Sequence, residues 1–414
     1  MLRRLSFVVT TIMCWHLCSF VTLAEGKKPE EMDKFPPGPL EMTTPDPLVR
    51  DTVKKQPLTA EELQKLEIAL NELNQEATTK LQAGDQETAF AIWNRELRLR
   101  RFLGSLAELE ALSRVGAIAQ RSAGIAWQEN ERQQVKYITD RLQVIEKQML
   151  TQKSTDLELW RSLAEAYQNV RIPKLAVGAY QQILTLVKKQ NNNTAELETL
   201  KKIGELSLSW FDYSQAATTY QELLNLAIKQ NDQPNEIVYL QQLAYIYEQG
   251  KQPQQAINVL NKLAAIYTRE NNLTQLPALK IAIAENYQSV ARENPNLLQE
   301  AFNNYQEAYV TAWKLEQYVS ASEALQKLIK LYRSQNQIDE ALQASQILLE
   351  TEKLTTNFYG LMQAYDQIGQ LYLEKKEDPQ ALIAFQKGLE LAQQLKHQET
   401  YFTQKIETLS KGNL

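Results

Sequence analysis

The chain has 414 residues, a formal net charge of −5, 43% hydrophobic residues, two cysteines and two histidines. That length suits two ordinary domains or one long solenoid, which has no globular size limit. A mildly acidic chain lacks the concentrated basic face that general nucleic-acid binding needs. Removing residues 1–24, which carry Arg3 and Arg4 and no acid, would take the charge to −7.

Met1 to Arg4 form a short positive start, and an uncharged run follows from Leu5 to Ala24. Thr22-Leu23-Ala24 puts small residues at the −3 and −1 positions of a cleavage site before Glu25, the layout of a secretory signal peptide. The alternative for residues 1–24 is an uncleaved membrane anchor, since the run almost reaches bilayer-spanning length. Cys14, Cys18 and His16 all fall in this run, so the rest of the chain has no cysteine and one histidine, His397. A disulfide framework is thereby excluded from the remainder. Leu17 and Met13 precede the two cysteines where a lipoprotein site needs small residues, and Leu2 and Ser6 flank Arg3-Arg4 poorly for a twin-arginine signal. Export by the general route is expected.

Residues 25–58 hold seven of the 13 prolines (Pro29, Pro36, Pro37, Pro39, Pro45, Pro47 and Pro57). Proline at that density prevents helix and sheet pairing, so an extended linker is expected. It is either a spacer or, through Phe35, Leu40, Met42 and Leu48, a strip that packs on the helices or docks elsewhere.

Beyond it glycine and proline thin out while Leu, Ala, Gln, Glu and Lys dominate, which predicts an all-α protein. Thr59 and Glu62 form a capping box that opens the helices, with Leu58 and Leu63 placed for a hydrophobic staple. Residues 59–150 read as divergent N-terminal hairpins, carrying Leu73, Ala77, Gly84, Ala89 and Trp93, then Leu112, Val115 and Gly116, then a long helix from about Ala126 to Met149.

From 151 to 400 the chain repeats itself. Six segments share an aliphatic residue, usually a small residue next, and usually a tyrosine three further on: Leu163-Ala164-Tyr167, Ile203-Gly204-Ser207, Leu243-Ala244-Tyr247, Ile283-Ala284-Tyr287, Leu328-Ile329-Tyr332 and Ile368-Gly369-Tyr372. Ser207 is the break in the tyrosine column. A second motif follows each, as in Ala176-Tyr180-Ile183, Ala216-Tyr220-Leu223 and Ala381-Phe385-Gly388. The period is 40, with one excess of five carried by the loop between Tyr287 and Ala301. Each unit reads as a helical hairpin in which helix A places Gly204, Ala244 or Gly369 where helix B crosses closely. Pro173, Pro253 and Pro379 suit the first turn of helix B, and Ser214 and Asp378 suit its N-cap. Residues 401–414 end a polar-faced closing helix and its tail.

Trp160, Leu163, Ala164, Tyr167, Ala176, Tyr180 and Ile183 resemble the tetratricopeptide consensus; the other five copies match more loosely, with Ser207, Lys280, Ile329, Ser345 and Gly388 departing from it. The period of 40 is similar to the family's long-helix variants. The resemblance implies a right-handed α-α superhelical solenoid of hairpins that binds protein or peptide along the outer faces of its A helices. The family's groove positions fall here on Glu158, Arg161, Glu165, Gln168 and Asn169, then Glu198, Lys201, Glu205, Leu208 and Ser209, then Val238, Gln241, Tyr245, Glu248 and Gln249. Later copies contribute Ile281, Glu285, Gln326, Lys330, Arg333, Asp366 and Gln370. The chaperone-binding members clamp a terminal carboxylate with lysine and asparagine; Glu165 and Glu205 stand at the asparagine position, so that clamp is expected to be absent. Arg161–Glu165 and Lys201–Glu205 are also spaced as i,i+4 ion pairs. The strip from Phe35 to Val49 is loosely similar to linkers in exported repeat proteins of cyanobacteria.

A second candidate surface is the basic stretch Arg95, Arg98, Arg100 and Arg101, either a solvated helix side or a docking face for an anionic partner or membrane head groups.

Catalysis has little to stand on. One histidine and no cysteine after residue 24 cannot supply a Cys–His pair or a His-based zinc cluster, and no glycine-rich phosphate loop exists. No cofactor is expected. The leading expectation is an exported scaffold for protein–protein interaction, an assembly factor in the periplasm, envelope or thylakoid lumen. The alternatives are a membrane-anchored accessory subunit and an enzyme with a scattered carboxylate site. The oligomeric state is not encoded in any recognisable pattern.

Overall fold

The structure, a computed structural model, describes residues 38–42, 45–50, 57–122 and 129–412. The expected signal or anchor segment, 1–24, lies outside these residues. Among them the chain forms seventeen helices and no strand, as its composition predicts.

The chain divides into two compact units, 1–102 and 103–414. The boundary falls inside the stretch expected to form one N-terminal region. In the first unit, α1 (Ala60–Gln82) and α2 (Gln86–Arg100) make an antiparallel hairpin. The capping box forms: the Glu62 amide donates to Thr59 Oγ1, and the Thr59 amide donates to Glu62 Oε2. Leu66, Leu70 and Ala77 of α1 are buried, as are Ala89, Phe90, Trp93 and Leu97 of α2. The Trp93 indole donates to Asn74 Oδ1 at 3.0 Å, which satisfies its one polar atom inside the hairpin.

The second unit runs through α3 (Ser105–Ser122), α4 (Glu129–Thr151), α5 (Leu157–Asn169), α6 (Pro173–Lys189), α7 (Asn193–Ser209), α8 (Tyr213–Gln230), α9 (Gln233–Gln249), α10 (Pro253–Arg269), α11 (Leu276–Val290), α12 (Leu298–Lys314), α13 (Tyr318–Ser334), α14 (Ile338–Leu354), α15 (Phe358–Glu374), α16 (Asp378–Leu395) and α17 (Glu399–Gly412). From α5 onward the odd-numbered helices are the A helices and the even-numbered ones the B helices. From α6 to α17 consecutive helices pack on one another, so the array is a solenoid of hairpins. Its opening differs: besides α6, α5 packs on α3 rather than on the preceding α4, and there Gln120 Nε2 donates to the Val170 carbonyl at 2.7 Å and Asn169 Nδ2 to Ser113 Oγ at 2.7 Å. The described part of the long helix expected from Ala126 begins at Glu129.

One backbone device recurs in almost every turn. Arg171, Asn191, Phe211, Asn231, Lys251, Asn271, Glu316, Asn336, Thr356, Lys376 and Lys396 all have positive φ, twenty residues apart except across the longer loop from 291 to 297, which has no such residue and leaves Asn271 and Glu316 forty-five apart. The left-handed conformation lets one residue end a helix and redirect the chain. It costs a non-glycine residue about 1–2 kcal/mol, and asparagine, present at four of the positions, tolerates it best. The residue after it becomes the next N-cap. Asn192, Asp212, Asp232 and Asn357 each accept from a backbone amide of the following first turn. The expected caps Ser214 and Asp378 are therefore displaced: Asp212 caps α8, and Asp378 is the first residue of α16 after Glu377. The prolines take their expected places, Pro173 and Pro253 opening α6 and α10 and Pro379 in the first turn of α16.

The small residues of helix A do what close crossing requires. A Cβ on Gly204 would lie 2.8 Å from Tyr220 Cε2, and one on Gly369 would lie 2.7 Å from Phe385 Cε1. Gly388, where an apolar residue was expected, has its place taken by Phe402 of the closing helix; a Cβ there would meet that ring at 2.3 Å. Gly178 is the contrast, since nothing lies within 4 Å of its would-be Cβ. Gly204→Ala should therefore destabilise the array by about 1–3 kcal/mol through overpacking. Gly178→Ala should stabilise it by about 0.5–1 kcal/mol through helix propensity alone. Urea unfolding followed by circular dichroism tests the opposite signs.

Candidate functional site

The expected groove positions lie on the odd-numbered helices, and the structure divides them into two groups. On α5, α7 and α9, Glu158, Arg161, Glu165, Glu198, Lys201, Glu205, Val238, Gln241 and Tyr245 are exposed. The expected i,i+4 pairs do not organise them. Glu205 pairs with Lys202, at 3.4 Å, and among the described residues no ion pair joins Arg161 to Glu165. Gln168 turns inward and donates to Tyr180 Oη at 2.9 Å, while Asn169 reaches α3. Leu208 is half-buried and Ser209 exposed.

At the C-terminal edge of this open stretch lies a shallow depression of about 290 Å³ between α9 and α11, lined by Gln241, Tyr245, Glu248, Tyr267 and Ala282. Tyr245 is 50% exposed at its edge. Gln241 Nε2 donates to Tyr267 Oη at 3.0 Å, and Asn286 Nδ2 donates to Glu248 Oε1 at 3.2 Å. Burial and the neighbouring charge of Glu285 push the Glu248 carboxyl above the usual range, against the pull of the Asn286 bond.

From α11 onward the same register positions are engaged with one another. Ile281 is a correction: at 5% exposure it belongs to the core. Glu285 accepts from Lys327 of α13. Arg333 donates from Nε to Glu374 Oε1 at 2.8 Å and from Nη1 to Gln370 Oε1 at 3.3 Å. Gln370 Nε2 donates to Asp366 Oδ2 at 2.8 Å, and Tyr401 Oη of α17 donates to Asp366 Oδ1 at 2.8 Å. These bonds stitch α13, α15 and α17 together across the face where a ligand was expected. Lys330 remains exposed, and Gln326 lines a separate dip with Val319 and Asn357. Burial raises the Asp366 carboxyl, and burial followed by the bond to Asp366 pushes the Tyr401 phenol up to about 12.

The basic stretch is also engaged with its own chain. Arg95 holds Asp46 with two bonds, Nε to Oδ2 at 2.8 Å and Nη2 to Oδ1 at 2.9 Å. Arg98 donates to the Pro39 carbonyl at 3.3 Å and Arg101 to the Leu40 carbonyl at 2.6 Å. Arg100 bonds Glu96 at 3.0 Å and Asn71 at 2.7 Å. The Arg95 bond holds the Asp46 carboxyl below its ordinary value. Leu40 and Val49 are buried. The described part of the proline-rich segment is thus a strip strapped down by arginines; of the apolar residues expected to pack, Leu40 is buried, Met42 and Leu48 are exposed, and Phe35 lies outside the described residues.

No group of three or more His, Cys, Asp or Glu among the described residues is placed to hold a metal. No helix among them is long and apolar enough to cross a membrane.

The chain matches no protein-family model, and no curated protein matches it in sequence. Solved structures of helical-repeat proteins are loosely similar. MamA is 22% identical over 48% of this chain and 92% of its own, with a TM-score of 0.35. BtubC (BKLC) from P. vanneervenii is 15% identical over 54% of this chain and 92% of its own, with a TM-score of 0.38. A Rap protein complexed with competence and sporulation factor is 12% identical over 84% of this chain and 98% of its own, with a TM-score of 0.32.

The Asp366 network has a definite pH signature. A carboxyl whose folded pKa is raised binds its proton more tightly in the folded chain than in the unfolded one. Its ionisation therefore costs stability at neutral pH, and the cost disappears as pH falls through the raised value. Asp366→Asn keeps an acceptor for Tyr401 but sets its amide nitrogen against the Gln370 amide. It should gain stability relative to the natural protein as pH rises from acidic to neutral, without being more stable at every pH. Asp366→Ala should lose about 1–3 kcal/mol by orphaning the Tyr401 hydroxyl and the Gln370 amide. Unfolding midpoints of the three proteins measured across acidic and neutral pH check both expectations.

Proposed function

We propose that this chain is a non-enzymatic binding scaffold that takes an extended segment of a partner protein along α5, α7 and α9. The observation that carries this reading is the contrast between the two halves of the groove. Arg333, Asp366 and Gln370 on α13 and α15 are tied into one network, whereas Arg161, Glu165, Lys201 and Glu205 stand exposed on α5 and α7 and Tyr245 on α9 lines a depression. The chemistry of that face suits the proposed ligand. Mixed charge, Gln241 and Tyr245 offer donors and acceptors in both senses, as an extended backbone requires, and no single strong charge that would select an ion. The two glutamates at the carboxylate-clamp position argue against capture of a free C-terminus.

The same reading places the protein beyond a membrane, in a periplasm, envelope or thylakoid lumen, as a factor in assembling a complex there. Its support is the pattern of residues 1–24, and sequencing the mature N-terminus in the source cells tests it: a start at Glu25 supports cleavage and export.

For the groove, a photoreactive benzoylphenylalanine at Glu205 or at Tyr245 should capture the same partner in those cells. Arg161→Glu with Lys201→Glu should abolish the capture, while the same probe at Ile347 on α14 should not capture that partner. Capture at Ile347 equal to that at Tyr245, or no partner shared by Glu205 and Tyr245, would reject this face as the working surface.

A further inference from the structure

The one break in the tyrosine column leaves a cavity. Ser207 is buried and its hydroxyl bonds its own helix, donating to the Ile203 carbonyl at 2.7 Å. In its place lies a pocket of about 660 Å³ between α6 and α7, lined by Val177, Gly178, Gln181, Ser207, Trp210 and Gln215 among others. One repeat later, where Tyr247 stands in place of Ser207, the equivalent walls Ala217, Thr218, Gln221 and Gln255 border a smaller hollow of about 480 Å³, so the serine enlarges a space that the tyrosine narrows. In the register set by Gly204 and Ile329, Tyr332 is the counterpart of Ser207, and Phe302 and Gln306 are the counterparts of Val177 and Gln181. There the tyrosine ring packs on Phe302 with centroids 4.8 Å apart, and its hydroxyl accepts from Gln306 Nε2 at 3.0 Å. The pocket at Ser207 therefore keeps the floor and the polar end of a tyrosine site and lacks the tyrosine. Gly178, with open space above its Cα, widens the floor further.

A second observation marks the same place. The turn at the mouth of the pocket presents Trp210 at 48% exposure and Phe211 at 73%. Phe211 has a φ of 62°, in the position that the other regular turns fill with Asn, Lys, Arg, Glu or Thr. A bulky aromatic in the left-handed region is an outlier, and one exposed to water there gains nothing from burial that offsets its strain. The turn accounts for the left-handed backbone, and the edge-on contact with Tyr213 leaves most of the Phe211 ring exposed.

We propose that this pocket is a docking site for a tyrosine side chain presented by a partner protein, which completes the column that the chain leaves open at Ser207. The ring lies over Val177 and Gly178 beside the Trp210 indole, an arrangement aromatic pairs favour. The phenol accepts from Gln181 Nε2, which otherwise reaches only Gln215 Oε1 at the outer limit of a hydrogen bond, 3.5 Å. An aliphatic side chain satisfies the floor and leaves the glutamine unanswered, so the pocket discriminates for tyrosine. This site is separate from the groove on α5, α7 and α9, and either can fail without the other.

The test titrates the full chain, labelled with ¹⁵N-tryptophan, with N-acetyl-L-tyrosinamide. Trp210→Phe assigns the Trp210 indole resonance. The expected result is a saturable shift of that resonance with none at Trp313, which is also partly exposed but remote in the repeat order. N-acetyl-L-leucinamide at the same concentration should leave Trp210 unmoved. Ser207→Tyr, which supplies the missing ring from within, should abolish the response, and Gly178→Leu should abolish it from the opposite wall should the first variant fold poorly. Absence of a saturable shift in the natural protein, an equal shift with leucinamide, or a shift surviving in a folded variant of either kind would overturn the proposal.

Discussion

The array rests on a turn that redirects the chain with one left-handed residue. That residue ends one helix, the next residue caps the following one, and most of the helices between are about 17 residues long. Equal lengths bring each helix back to the same height beside its neighbour, so Gly204 meets Tyr220 and Gly369 meets Phe385 at equivalent crossings. Where the turn lengthens, from 291 to 297, the register shifts by five and then resumes, because each hairpin needs only its neighbours to bury its apolar face. The glycine–aromatic crossings, the tyrosine column and the alignment of A helices all follow from that spacing.

Alignment of the A helices brings their outward side chains into reach of one another, which has opposite consequences at the two ends. Toward the C-terminus the side chains are long and complementary, and Arg333, Gln370, Glu374, Asp366 and Tyr401 close into one network that ends on the last helix. Such a network fixes the closing helix, which has a neighbour on one side only. On α5, α7 and α9 no ion pair among the described residues joins the groove positions of one A helix to those of the next, and Arg161, Glu165, Lys201 and Tyr245 stay open to solvent. The arginines of α2 follow the same logic as the closing network: their charge is turned onto the chain's own carbonyls and Asp46, holding the strip around Leu40 against the first hairpin.

Much of this was legible in the sequence, and the misses have physical causes. The period of 40, the close crossings at Gly204 and Gly369, the capping box at Thr59 and the helix-opening prolines were readable because each depends on residues near in sequence or on strict repetition. The half-period of 20 was not, because a left-handed residue need not be glycine and the eleven positions carry Asn, Lys, Arg, Glu, Thr and Phe. Missing it displaced the caps from Asp212 and Glu377 to Ser214 and Asp378. The engagement of Arg95, Arg98 and Arg101 was invisible because their partners lie 49 to 61 residues away and two of them are backbone carbonyls, which leave no trace in composition; only the Arg100–Glu96 pair, four residues apart, was within reach of local reading. Ile281 fell into the core because it packs in one apolar cluster with Phe302 and Tyr305 of α12 and Leu328 of α13, contacts that the groove register does not reveal. Ser207 was visible as a break in a column, and its meaning needed the pocket behind it.

The central claim is that some outward side chains are engaged by the fold and others are left for a partner, and arginine reactivity measures that directly. An arginine-selective dicarbonyl applied to the native protein, with modified sites quantified by mass spectrometry, should label Arg161 rapidly. It should label Arg333, Arg95, Arg98, Arg100 and Arg101 slowly, with the difference vanishing in denaturant. Equal native rates at Arg161 and Arg333, or rapid labelling across the α2 arginines, would contradict the division of the surface on which the account depends.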